Sequence, residues 1–259
     1  MTRLIIFETK NILIVGDNHI NDHIFNNFKR FSTYRPFTIK NLKELNTKYN
    51  YDYIIDCSFD INIQDSIIDY SKNNKTKKVV ILSNYKRDLI HIQNLVISQL
   101  IITDLYFDEH KSFNRSGFGN DMEFGISYCD FICESLRRIH ESKMDLIPNL
   151  YINYSTNMIK YIHIDSLYKS IDHVIKNIDN NCYYEIYDEV IEAGQILNML
   201  KEIIDYRGNI VFNYNEKSLN NQNIKRLNLR YKPKSINTSL KNIYNNLIRN
   251  NDRFKLLVY

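Results

Sequence analysis

The sequence predicts a doubly wound α/β fold around a parallel sheet. Three observations carry that prediction. Short apolar, β-branched runs recur through the first hundred residues, at Asn11–Val15, Pro36–Ile39, Tyr53–Cys57, Val79–Leu82 and Leu100–Asp104. Amphipathic stretches with helical spacing separate them. The runs are continuous rather than alternating, as expected of strands covered on both faces. Strand and helix alternating in this way wind into a parallel sheet with helices on either side.

Taken in order, the first strand ends at Gly16, and a helix follows through Phe25, Phe28 and Phe31. Leu42–Tyr49 reads as a second helix. A third carries Ile63, Ile67, Ile68 and Tyr70, and a fourth covers Leu89–Ser98. The charged run Lys72–Lys78 reads as a solvated helix end. Residues 107–120 are polar, hold two of the six glycines and read as a loop. Beyond them come a helix over Ile126–Ser142, a strand at Tyr161–Ile164, a helix over Ser166–Ile178 and a strand at Tyr183–Ile186. A helix over Glu192–Ile204, a strand at Ile210–Phe212 and a helix over Ser235–Asn250 complete the pattern. Residues 1–259 are therefore expected to form one unit. About 1–105 make a Rossmann-type core, and about 106–259 make mixed core and a small C-terminal substrate lobe.

Composition narrows the function. A chain of 259 residues can bury a sizeable core. Its net charge of +4 comes from 34 basic and 30 acidic residues that are well mixed, so no nucleic-acid partner is expected. No apolar run approaches the ~18 residues of a membrane span. The N-terminal runs Leu4–Phe7 and Ile12–Val15 are split by polar residues, unlike a signal peptide. Cys57, Cys129, Cys133 and Cys182 are scattered, which points to free thiols in the cytoplasm. Cys129 and Cys133 share a helix face and read as core; no metal site is expected.

Residues 159–175, IKYIHIDSLYKSIDHVI, resemble the R-x-F-I-h-V-x-D strand-to-helix stretch of the extended short-chain dehydrogenases/reductases, the sugar-nucleotide epimerase and dehydratase family. Lys160 stands at the usual Arg, and Asp165 lies close to the Asp. Residues 183–204 resemble the strand, loop and helix that follow. In residues 223–249, Leu229, Arg230, Tyr231 and Pro233 fill the L-G-W-x-P slot. Thr103–Phe113 looks like the T-N-x-Y-G-P-H-D-N-F stretch of the GDP-L-fucose synthase branch. The resemblance implies NADP as cofactor, a nucleotide sugar as partner, and a homodimer built from helices Gln64–Lys72 and Leu89–Ser98. It also implies sugar-nucleotide contacts from Tyr106, His110 and Lys160. Alternatively His110 is a solvated loop residue, and His163 is packed in its strand.

The motifs depart from the family pattern. Gly-x-x-Gly-x-x-Gly lets a backbone approach a pyrophosphate at a helix N-terminus. Here only Gly16 survives, with His19 and Asp22 at the other two positions and Asp17 adding repulsion. The cofactor-side candidates are thus Gly16, Asp17, His19, Asp56 and Ser58; Asp56 reads equally as a turn residue. The family's catalytic Ser, Tyr and Lys map onto Ser83, Tyr85 and Lys86, yet no Tyr-x-x-x-Lys occurs anywhere. A strand-end turn explains Ser83 and Tyr85 as well. Two functions stay open. One is a divergent epimerase/reductase-like protein, similar to GDP-L-fucose synthase, whose catalytic apparatus is eroded. The other is a non-catalytic homologue that keeps the fold for nucleotide-sugar binding or assembly.

Overall fold

A computed structural model of the chain describes residues 9–40, 42–45, 49–84, 86–88, 92, 94–102, 105–107, 128–154, 158–214, 224–229 and 231–249. The chain divides into two compact units. The first comprises Met1–Ile102, Ile164–Ile186 and Ile224–Leu229. Its six-stranded sheet is parallel throughout, in the order β2-β1-β3-β4-β5-β9. The strands are β1 (Lys10–Val15), β2 (Tyr34–Ile39), β3 (Tyr53–Asp56), β4 (Lys78–Ser83), β5 (Val96–Ile101) and β9 (Cys182–Glu185). Helices α1 (His19–Phe28), α2 (Ile61–Lys72) and α4 (Ile164–Asn177) cover it.

The alternation of a strand explains the two faces. Leu13, Val15, Ile54, Val79 and Ile81 point one way and pack with Ile67 and Ile68 of α2. Ile12, Ile14, Ile55, Val80 and Leu82 point the other way and are buried as completely. The chain steps from β1 to β2 on one side, then crosses back to β3 on the other. The crevice at the C-terminal ends of β1 and β3 is therefore the switch point of the sheet, where doubly wound folds place ligands.

The second unit comprises Thr103–His163, Tyr187–Asn223 and Arg230–Tyr259. Strands β10 (Glu189–Glu192), β8 (Met158–His163) and β6 (Leu105–Phe107) form one sheet. Strands β11 (Asn209–Tyr214) and β7 (Asn149–Tyr154) form a two-stranded parallel ribbon. Helices α3 (Tyr128–Met144), α5 (Ala193–Ile204) and α6 (Ile236–Arg249) pack on them through Leu136, Ile139, Leu197, Leu200 and Leu240.

Several expectations are corrected. The described residues of Leu89–Ser98, 92 and 94–98, are not helical: Asn94 takes a left-handed conformation (φ 63°), Leu95 N–H donates to Ile92 O at 3.2 Å, and β5 starts at Val96. Leu89, Ile92 and Val96 share helical spacing, but the β-branched pair Val96–Ile97 belongs to the sheet. The helix pair inferred for a dimer therefore loses one member, and Ile67 and Ile68 of the other are buried in their own core. Within Leu42–Tyr49, Leu42–Glu44 form a 3-10 turn, and residues 46–48 lie outside the described residues. The strand expected at Leu100–Asp104 is β5, ending at Ile101. Lys78 is not solvated: it is 3 % exposed, and its Nζ donates to Val174 O and Ile175 O at 2.9 Å each. The side chains of Cys129 and Cys133 lie outside the described residues.

Candidate functional site

The first βα turn is closed by side-chain amides. Val15 ends β1, and Gly16 follows with φ +150°. A Cβ on Gly16 would meet the Cys57 carbonyl carbon and oxygen at 3.2 Å, so the two backbones touch across the switch point. Cys57 N–H donates to Val15 O at 2.8 Å, and Gly16 N–H to Ile39 O at 3.0 Å. Asn18 caps α1, its Oδ1 accepting from Asn21 N–H at 3.1 Å. Its Nδ2 reaches over the crevice to Cys57 O at 2.6 Å. Asn21 Nδ2 donates to Gly16 O and Thr38 Oγ1, both at 2.7 Å.

Asp17 Oδ1 pairs with Lys40 Nζ at 3.0 Å, with both side chains well exposed. Of His19 only the backbone, which opens α1, is described. Beside the turn, at the ends of β1 and β2, lies a cleft of about 480 Å³ whose lining includes Asp17, Asn21, Asp22, Thr38, Lys40 and Glu44.

The ends of β3, β4 and β5 carry a second polar cluster. Asp56 is fully buried. Its Oδ1 accepts from the Ser58 hydroxyl at 2.6 Å and the Ser58 N–H at 3.0 Å. Burial pushes the Asp56 carboxyl up to about 7, outweighing the opposing pull of Ser58 and of the nearby Gln64 amide; Asp60 adds to the rise. Oδ2 makes no hydrogen bond of good geometry, so Gln64 acts on it as a neighbouring dipole. Ser83, 1 % exposed, accepts from Gln99 Nε2 at 2.7 Å. Gln99 Oε1 accepts from Arg87 N–H at 3.0 Å, while the Arg87 guanidinium donates to Gln64 Oε1 at 2.9 Å and Asp65 Oδ1 at 2.7 Å. Lys86 Nζ stands 3.9 Å from the centre of the Tyr183 ring. Tyr85 lies outside the described residues.

Ser83 and Lys86 are thus engaged by different partners, Gln99 and Tyr183. Asp56 Oδ1 is held by Ser58, while Oδ2 has no hydrogen bond. Sequence reasoning missed Asn18, Asn21, Arg87 and Gln99. Only Asn18 carried a local signal, as an asparagine at a helix start.

In the second unit, Lys160 Nζ lies 5.4 Å from the Tyr187 ring centre. Tyr106 pairs with Ile162 along the β6–β8 ladder, but its side chain lies outside the described residues, as does all of His110. Asp188 holds a neighbouring cluster, accepting from the Tyr231 hydroxyl at 2.7 Å and from His163 N–H at 2.8 Å. His163 is buried. Burial and the Glu189 carboxylate, 3.1 Å from its hydroxyl, push the Tyr161 phenol well above its ordinary range. Among the described residues, no group of three or more His, Cys, Asp or Glu could hold a metal ion. None of the described helices is long and apolar enough to cross a membrane.

No family model and no curated protein matches the chain in sequence. Solved structures do match in fold. A GDP-L-fucose synthetase from Naegleria fowleri superposes with a TM-score of 0.66 at 11% identity, over 96% of this chain and 95% of that one. The same enzyme bound to NADP gives 0.67 at 10% identity, over 95% of each chain. A GDP-mannoheptose C4 reductase from Campylobacter jejuni with NADP bound gives 0.63 at 14% identity, over 93% of this chain and 98% of that one. At such identities the likeness speaks for fold, and the chain has the α/β fold of the extended short-chain dehydrogenases/reductases that its motifs resemble.

Proposed function

We propose that this protein is a divergent relative of the sugar-nucleotide epimerases and reductases that keeps their fold without running their NADPH-dependent chemistry. One observation carries the reading: the Asn18 amide spans the switch-point crevice to Cys57 O at 2.6 Å, above a Gly16–Cys57 backbone contact. A dinucleotide pyrophosphate needs open backbone N–H groups at that turn. The residues present do not fit it. The catalytic candidates add support. Ser83 is committed to Gln99, and Lys86 stands over Tyr183. No Lys follows any Tyr by four residues to lower the pKa of a proton-donating phenol.

The fold is retained for binding. A nucleotide sugar is the proposed partner, with Lys160, Tyr106 and His110 as its candidate contacts, and the proposed setting is a cytoplasmic homodimer. The test is direct. Purified protein with GDP-4-keto-6-deoxymannose and NADPH should oxidise no cofactor above the buffer rate, and NADPH fluorescence should show no binding. Turnover abolished by Tyr85→Phe would overturn the proposal.

A further inference from the structure

Two helices of the second unit end in the same motif. At the end of α3, Leu146 N–H donates to Lys143 O at 3.4 Å and Ile147 N–H to Ser142 O at 2.9 Å. At the end of α5, Asp205 N–H donates to Glu202 O at 3.2 Å and Tyr206 N–H to Lys201 O at 3.0 Å. Leu146 and Asp205 both take the left-handed conformation, each at φ 56°, that closes such an end. The two ends share a cleft of about 590 Å³, a size that suits a small molecule.

Glycine ordinarily fills the left-handed position, because a side chain there crowds the backbone. Leu146 instead holds a large apolar side chain out at 87 % exposure, with Ile147 beside it at 40 %. Leu146, Ile147 and Pro148 give the cleft an apolar wall. Backbone strain and lost burial thus fall on one residue, and an occupant that covered Leu146 would recover the burial.

The charge of that occupant follows from the hydrogen bonds. Besides Ser142 O and Lys143 O, Ile147 O accepts from the Tyr206 hydroxyl at 2.8 Å and Pro148 O from Asn209 N–H at 2.7 Å. Ile204 O, at the tip of α5, accepts from Lys143 Nζ at 2.6 Å. These five carbonyls are spent, so a ligand that brings N–H donors gains little from them. The Asp205 carboxylate is 73 % exposed, with Lys143 Nζ 3.8 Å from it. Arg207 lines the cleft, is exposed, and makes no hydrogen bond or ion pair among the described residues. Its planar fork of N–H groups matches a carboxylate.

We propose that this cleft binds a monocarboxylate carried on an apolar body, the carboxylate paired with Arg207 and the body laid on Leu146 and Ile147. The site lies wholly within the second unit, so it stands or falls separately from the reading of the first βα turn.

Titration calorimetry on the full chain at about 150 mM salt, where loose surface charge is screened, tests this with decanoate, below its micelle threshold, and with naphthoate. Saturable binding of either supports the proposal and tells an aliphatic body from an aromatic one; silence from both refutes it. Decanol and decylammonium are the controls, and either one binding as tightly as decanoate would refute the pairing with Arg207. Arg207→Gln should weaken carboxylate binding about three- to fivefold, as loss of an exposed charge pair does. Asp205→Asn keeps a residue that tolerates the left-handed conformation and should strengthen binding by a similar factor. Leu146→Gly separates binding from folding. Glycine relieves the strain, so the melting temperature should rise by about 2–4 °C, while affinity falls about fivefold with the lost contact. Unchanged affinity in Arg207→Gln or in Leu146→Gly would overturn the proposal.

Discussion

Asp56→Asn isolates the cost of a buried carboxylate at the crevice. The Asp56 carboxyl is raised from 3.8 to about 7 by burial. The sign follows from linkage. An acid whose folded pKa is raised holds its proton more tightly when folded, so its stabilising contribution is full below the unfolded pKa and disappears as pH rises through the folded one. Between pH 5 and pH 8 the wild type should lose about 2.5 kcal/mol, from roughly two units at about 1.36 kcal/mol each. Asparagine does not titrate. It also faces the Gln64 amide donor to donor, which adds a constant offset that cancels when the two pH values are compared. Urea melts of both proteins at pH 5 and pH 8 give the double difference. A chain of this size should show it as a relative Tm change of roughly 5–10 °C. PH dependences that run parallel within about 0.5 kcal/mol would show that Asp56 is ionised in the folded state, contrary to the burial argument.

Gly16→Ala should cost about 1–3 kcal/mol, since its φ of +150° and the Cys57 backbone 3.2 Å from the new Cβ both oppose a side chain; an unchanged melting temperature would mean that the β1–β3 crevice opens freely. Lys78→Met should cost about 1–3 kcal/mol by stripping two carbonyls at the end of α4 of their donor, with faster amide exchange in that last turn. The Asp179 pair adds little, as that carboxylate is 92 % exposed. A neutral or stabilising result would place desolvation of the ammonium above its hydrogen bonds.

The central sheet was legible because its strands are apolar on both faces. Asn11–Val15 and Val79–Leu82 sit within β1 and β4. Helices α3, α4, α5 and α6 begin and end within about two residues of the sequence reading, as usual for pattern-based boundaries. Strand β7 was missed because Asn149–Tyr154 alternates Asn and Tyr with apolar residues and so lacks a continuous run. At Leu89–Ser98 one apolar pattern satisfied two periods, and only a turn at Asn94 decided between them. The candidate site was half legible. The missing glycines marked the first βα turn as departing from the family pattern. What fills it could not be read, because Asn18 meets Cys57 across 39 residues and Gln99 meets Ser83 across 16. Lys78 was misread for the same reason: its carbonyl partners lie 96 and 97 residues away.

The Asn18 bridge changes how the fold depends on its surroundings. A protein whose crevice is completed by a bound nucleotide draws part of its stability from that molecule, by an amount that rises with the logarithm of its concentration. Here the hydrogen bonds that tie β1 to β3 and α1 to β2 come from the chain itself, through Asn18 and Asn21. The hydrogen bonds that close this turn are therefore made without any bound molecule.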